Sequence, residues 1–216
     1  MSPDQGVAVT KVSSGLPGVT DVVFDVGRVL IDFSYDRFAA KLRQHGADCA
    51  GAEDFLRHVD LIGYEHGRIS SQEFLRQINA LLKEALPDAE LIAAWNDLFT
   101  PIREMLALAG RLMPHCGVYL LSNTSELHWQ HIRVAFGLDN ICHDRLASYE
   151  VGAMKPAPEI FAAACQRFDL RPETTVFIDD LEANAQGAIA CGWQAIWHQS
   201  VASTRAQLRQ LIGIEL

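Results

Sequence analysis

The sequence has no apolar run of membrane-spanning length, no cysteine pair at CxxC or zinc-like spacing, and no cluster of basic residues. Each absence removes a class of protein. A helix needs about 20 consecutive apolar residues to cross the hydrocarbon core of a bilayer, so no membrane partner is expected. The cysteines Cys49, Cys116, Cys142, Cys165 and Cys191 are odd in number and scattered, and the first 20 residues carry no export-type apolar stretch. Reduced thiols in a cytoplasm, serving as small apolar filler, are the expectation. The formal charge is −9 and the 18 Lys and Arg residues are dispersed, which speaks against a nucleic-acid partner, because a phosphate backbone is held by clustered cations. A small anion remains admissible, but only in a local cationic pocket, since the overall field of the chain repels it.

What is present is ordinary globular composition, 49% apolar and 21% charged over 216 residues, enough for one substantial core and a smaller accessory domain. Residues 1–20, with several Ser, Gly and Pro, are expected to form a loose leader. From Val22 an apolar run reads as a buried strand ending near Asp25. Between residues 35 and 99 the period becomes helical, with Phe38 and Leu42, Phe55 and Val59, then Phe74, Ile78, Leu81 and Leu82, and no strand-like run interrupts it. Ser70 with Glu73 has the spacing of a capping box, and Asp88 after Pro87 is expected to cap the next helix.

Beyond Pro101 strands and helices alternate: a helix to about Leu112, a strand from Gly117 to Leu121, a helix from Glu126 to Phe136, and an extended piece from Arg145 to Ser148. A helix from Pro158 to Phe168, a strand from Val176 to Ile178, a helix from Ala183 to Ala190, a strand from Gln194 to Trp197 and a helix capped by Ser203 follow. This alternation predicts the α/β class, with a Rossmann-like, doubly wound parallel sheet covered by helices on both faces. The core should comprise 21–33 and 101–216, and 34–100 should be an all-helical domain inserted after the first strand.

In such sheets ligands bind beyond the carboxyl ends of strands, which directs attention to four polar turns. Asp25 ends an apolar strand, where an isolated charge needs a cation or an array of donors. Ser122-Asn123-Thr124 joins a strand to a helix, where hydroxyl, amide and backbone N–H groups can converge on an anion. Lys155 precedes a helix and can act as a point charge against phosphate. Asp179 and Asp180, followed by Asn184, place two adjacent carboxylates at a strand end, which repel unless something positive lies beside them. A magnesium ion, taking hard oxygen ligands and often only one or two carboxylates, satisfies that need.

Taken in order, these segments resemble the motifs of the haloacid dehalogenase superfamily of hydrolases. Phe24-Asp25-Val26-Gly27-Arg28-Val29-Leu30 resembles its nucleophile motif and Leu121-Ser122-Asn123-Thr124 its phosphoryl-binding motif. Met154-Lys155-Pro156 resembles its lysine motif and Phe177-Ile178-Asp179-Asp180-Leu181-Glu182-Ala183-Asn184 its metal motif. The inserted helical block falls where that superfamily carries a helical cap. Within it, the segment from Tyr64 to Phe74 is similar to the cap of sugar 1-phosphate phosphatases and of the phosphatase half of soluble epoxide hydrolases.

The resemblance implies a magnesium-dependent phosphatase acting on a small phosphorylated metabolite, a sugar 1-phosphate for example, as a monomer or homodimer. Asp25 would be the nucleophile that becomes an aspartyl phosphate. The ion would be held by Asp25, the carbonyl of Gly27 and Asp180, with Asp179 and Asn184 near it or orienting its waters. Ser122, the Asn123 backbone and Lys155 would neutralise the phosphoryl oxygens.

One position departs from the pattern. The superfamily's phosphatases commonly carry a second aspartate, the general acid and base, two residues after the nucleophile, and here that residue is Gly27. A good leaving group, a water, or a residue of the inserted block such as Glu65 or His66 would have to compensate. Two alternatives follow: a 2-haloacid dehalogenase, which needs no metal, and a binding or regulatory protein that keeps the fold with weak catalysis. The remaining candidates have plainer readings. His128 and His131, at i and i+3, are expected to be a surface pair without a third metal ligand. Trp95, Trp129, Trp193 and Trp197 are expected in cores or at the interface with the inserted block, and Arg28 is expected to be a solvated charge.

Overall fold

A computed structural model describes residues 18–213, so the expected leader lies outside the described residues except for Gly18, Val19 and Thr20. The chain opens with β1 (Asp21–Phe24) and β2 (Ile31–Phe33) and then enters a block of five helices. These are α1 (Tyr35–Gln44), α2 (Ala52–Leu56), α3 (Leu61–Glu65), α4 (Ser71–Asn79) and α5 (Asp88–Asn96). It returns through β3 (Phe99–Pro101) to α6 (Arg103–Leu112), β4 (Gly117–Ser122), α7 (Glu126–Ala135), β5 (Asp144–Ala147) and the short α8 (Ser148–Val151). The last elements are α9 (Pro158–Phe168), β6 (Thr175–Asp179), α10 (Glu182–Ala190), β7 (Gln194–Trp197) and α11 (Val201–Ile212).

Five strands form a parallel sheet in the order β5-β4-β1-β6-β7. Successive side chains of a strand point to opposite faces, and here both faces are apolar. Val22, Phe24, Val118, Leu120, Val176 and Ile178 pack with Met105, Leu108, Trp129 and Leu208 of α6, α7 and α11. Val23, Leu121, Leu146 and Phe177 pack on the other face with Ile160, Phe161, Ala164 and Ala188 of α9 and α10. Each large side chain so buried contributes about 1.5–3 kcal/mol relative to exposure. The doubly wound α/β expectation is therefore met. Its consequence is positional: in chain order the sheet grows from β1 outward through β4 to β5, then crosses to β6 on the other side of β1 and on to β7, so the winding reverses beside β1.

The helical block has a core of its own, in which Phe38, Phe55 and Phe74 surround Trp95. Ring centroids lie 4.9 Å apart for Phe38–Trp95 and for Phe74–Trp95, and 5.2 Å apart for Phe38–Phe55. Half of the capping box at Ser70 is realised: its side chain accepts from the Glu73 N–H at 3.1 Å, while the Glu73 carboxylate turns to Arg76 and Gln77 instead. Asp88 lies one residue inside α5 rather than at its cap, where an acid still suits the positive end of the helix dipole.

Two further features differ from expectation. The block is entered and left through an antiparallel ribbon in which Ile31 pairs with Pro101 and Phe33 with Phe99, so a strand falls where only helices were expected. Three residues per strand are too few to display a period of two. The final helix is capped by Ser200, not Ser203. The extended backbone of Ser200 lets its hydroxyl accept the Ser203 N–H at 3.2 Å, so Ser203 is already inside the first turn.

Candidate active site

The ends of β1, β4 and β6 deliver the polar turns to one place. Asp25 follows β1, and its backbone N–H continues the sheet by donating to the Ile178 carbonyl at 2.8 Å. One carboxylate oxygen each from Asp25, Asp179 and Asp180 lie within 4.8 Å of one another. The Lys155 ammonium enters the same space, 2.8 Å from Asp25 Oδ1 and 2.7 Å from Asp179 Oδ2, and it donates to the Leu121 carbonyl at 3.0 Å. Lys155 is held there by Asn123, whose amide donates to the Lys155 carbonyl at 3.0 Å and accepts the Lys155 N–H at 2.9 Å. The turn after β4 thus fixes the lysine. The Asn123 side chain is spent on that task.

Asp179 is the most tightly held acid. Its oxygens accept from Lys155, from the Leu181 N–H at 2.8 Å and from the Asn184 amide at 3.0 and 3.1 Å. Asp180 is half-buried and its carbonyl accepts from Trp197 Nε1 at 2.8 Å. Asp25 receives the Val26 N–H at 2.6 Å and Lys155, both on Oδ1, so its Oδ2 is the oxygen outside these contacts.

The electrostatics are unbalanced, because three acids face one lysine. Burial pushes the Asp25 carboxyl up to about 8; Lys155 opposes the shift, and Asp179 and Asp180 add to it. Burial also raises Asp180, with Asp179 contributing. Burial disfavours the Lys155 ammonium, but Asp25 and Asp179 outweigh that and hold its pKa above the usual value. A carboxylate in low dielectric with too few cations either keeps its proton or binds a positive ion. The donors are all hard oxygens, the set a small divalent cation takes, so these residues fit magnesium.

Beside this cluster lies a pocket with a cavity volume of about 50 Å³, lined among others by Gly27, Ser122, Thr124, Phe33, Tyr35 and Glu65. The Phe33 ring covers Gly27, and a Cβ on Gly27 would stand only 3.1 Å from its Cε1. Phe33 is itself wedged, with Tyr35 at 5.5 Å and Phe99 at 6.4 Å between ring centroids and the Arg28 guanidinium 4.5 Å above it. A side chain at position 27 would need this edge-packed ring to give by a few tenths of an ångström. Arg28 also pairs with Asp32 at a half-exposed site, so it is a charge with partners rather than a free one.

Glu65 reaches this pocket at the end of α3, and burial pushes its carboxyl up to about 7. His66 lies at the end of the same helix with its ring Nδ1 3.0 Å from the Ile62 carbonyl, and it does not line the pocket. Ser148, which the sequence reading passed over, links the two sides. It is fully buried, accepts the Thr124 N–H at 3.0 Å and donates to the Glu65 carbonyl at 2.6 Å. The same attention to polar residues after strands, applied to β5, would have found it. His128 corrects an expectation: it is not on the surface but buried, stacked 4.2 Å from Trp95. Trp95 comes from the distant α5, so this contact is invisible in the local helical pattern.

A family model described as haloacid dehalogenase-like hydrolase matches residues 14–192. The chain belongs to this family. Among haloacid dehalogenase-like relatives, the D-ribitol-5-phosphate phosphatase of Bacteroides thetaiotaomicron is 28% identical over 205 residues, covering 90% of this chain and 99% of that one. The glyceraldehyde 3-phosphate phosphatase of Methanopyrus kandleri is 28% identical over 149 residues, 65% of this chain and 64% of that protein. Of solved structures in the family, wild-type bt-2542 from Bacteroides thetaiotaomicron, in complex with magnesium and inorganic phosphate, superposes with a TM-score of 0.75 at 28% identity. That match covers 83% of this chain and 93% of the other.

Proposed function

We propose that this protein is a magnesium-dependent phosphatase of small phosphorylated metabolites, with sugar phosphates as its substrate class. The observation that carries the reading is the meeting of Asp25, Asp179, Asp180 and Lys155 at the ends of β1 and β6. Relatives that act on ribitol and glyceraldehyde phosphates, and one that binds magnesium with phosphate, support it. A sugar 1-phosphate is one member of the proposed class, and the helical block between β2 and β3 acts as its cap domain.

Asp25, the Gly27 carbonyl and Asp180 would hold the ion, while Asp179, already occupied by Lys155, Asn184 and the Leu181 N–H, would orient the site. When bound, magnesium supplies positive charge against the acids and the phosphoryl oxygens. Asp25 attacks phosphorus and becomes an aspartyl phosphate, which divides one difficult displacement into two easier ones. Lys155 and the Ser122 hydroxyl hold the phosphoryl oxygens, whose charge must be stabilised as the bond to the leaving oxygen breaks. Water then attacks the aspartyl phosphate and releases inorganic phosphate.

The test is a panel of sugar, polyol and aryl phosphates assayed with magnesium and with a chelator, with Asp25→Asn as the blank. The reading expects turnover that vanishes with chelator and returns with magnesium. Chelator-resistant release of halide from a 2-haloacid, without phosphate release from any ester, would replace it with dehalogenation.

A further inference from the structure

Transfer of a phosphoryl group from an alkyl ester to Asp25 expels an alkoxide, which needs a proton as it departs. Three titratable side chains line the pocket beside Gly27: Tyr35, Glu65 and His128. His128 is unsuited to the task. Its Nε2 lies 3.1 Å from the Trp95 carbonyl, its ring is buried, and burial pushes its pKa down to about 3, so it is neutral and already engaged. Tyr35 is a weak acid made weaker by burial and by the nearby Glu65 charge. Glu65 differs from both, since burial brings its carboxyl close to neutrality, where a group can both give and take a proton.

Geometry points the same way. On the Asp25 side of the pocket position 27 carries no side chain, and a Cβ there would stand only 3.1 Å from the Phe33 ring. On the other side, the Ser148 hydroxyl bonds the Glu65 carbonyl and the Thr124 N–H together, so the end of α3 is tied to the turn that follows β4. A second tie runs from the Leu127 N–H to the Tyr64 hydroxyl at 3.2 Å, one residue from Glu65. The Glu65 backbone is therefore tied to the turn after β4, and its side chain lines the same pocket as Ser122 and Thr124.

We propose that Glu65 is the acid that protonates the leaving oxygen and then the base that activates the hydrolytic water. This rests on the phosphatase reading above. In the first step an Asp25 oxygen bonds to phosphorus, the ester P–O bond breaks, and the departing oxygen takes the Glu65 proton. In the second, the Glu65 carboxylate takes a proton from water, the water oxygen bonds to phosphorus, and the bond from phosphorus to Asp25 breaks. Phosphate leaves, with Asp25 ionised and Glu65 protonated again.

The experiment compares magnesium-saturated wild type with Glu65→Gln, reading kcat/KM, which reports steps up to departure of the alcohol. For ribitol 5-phosphate the substitution should lower kcat/KM by about 10²- to 10⁴-fold, and for p-nitrophenyl phosphate, whose leaving group needs no proton, by less than about tenfold. Equal losses on both esters, or no loss on the polyol ester, would overturn the proposal. Should the variant fail to fold, wild type decides: a shallow dependence of kcat/KM on leaving-group basicity is expected, and a steep one would refute protonation. Absence of magnesium-dependent p-nitrophenol release by wild type would instead remove the phosphatase reading itself.

Discussion

Replacing Glu65 with Gln should stabilise the protein at alkaline pH while it impairs turnover. Burial raises the Glu65 carboxyl from 4.5 to about 7, and at about 1.36 kcal/mol per pKa unit this amounts to roughly 3 kcal/mol. For a carboxylate the sign is unusual. The folded chain holds the Glu65 proton more tightly than the unfolded chain, so the contribution is fully present below pH 4.5 and is lost as the pH rises to about 7. Above that the wild type carries a buried charge that Gln lacks. Urea melts of both proteins in metal-free buffer, at pH 4.5 and pH 8, isolate the effect, because other titrating groups cancel in the difference. The two should be nearly equal at the lower pH. At pH 8 the variant should be more stable by up to about 3 kcal/mol, or on the order of 6–12 °C in Tm at about 2–4 °C per kcal/mol for a chain of this size. A difference that does not change with pH would refute the assigned burial of this carboxyl.

Lys155→Met removes the cation shared by Asp25 and Asp179; it should abolish turnover and cost about 3–5 kcal/mol in metal-free stability, measured by denaturant titration, because two buried acids lose their partner. Asn184→Ala removes the amide that bonds both oxygens of Asp179; calorimetric magnesium titration should show affinity weakened by about 10- to 100-fold. Gly27→Ala forces a methyl against the Phe33 ring and should cost about 1–3 kcal/mol of stability. In a double-mutant cycle with Phe33→Leu much of that cost should disappear, whereas strict additivity would show that the two do not touch.

The parts of the fold that were legible in the sequence are those in which local pattern and tertiary environment agree. Strands β1, β4 and β6 are buried on both faces, so they read as unbroken apolar runs, and the polar residues that end them mark the site directly. Asp25, Ser122, Lys155 and Asp179 are far apart in the chain, but Ser122 and Asp179 end strands, Asp25 follows one and Lys155 lies just ahead of a helix, and parallel topology does the rest. What escaped is non-local. The β2–β3 ribbon is a pairing of residues about 70 positions apart with no periodic signal in either strand. Phe33 over Gly27, Trp95 against His128, and the Ser148 link from Thr124 to Glu65 are packing events between elements whose sequences carry no trace of one another. Glu65 was legible as a candidate and not as a choice, because its distinction from His66 lies in which side chain faces the pocket.

The central claim is that a phosphoryl group passes through Asp25, and trapping it there is the most direct test. Wild-type enzyme turning over a sugar phosphate with magnesium, quenched in acid, digested and mapped by mass spectrometry, should carry phosphate on the peptide containing Asp25, and none when a chelator is present. Product formation with that peptide unmodified, or with phosphate on a different side chain, would contradict the account.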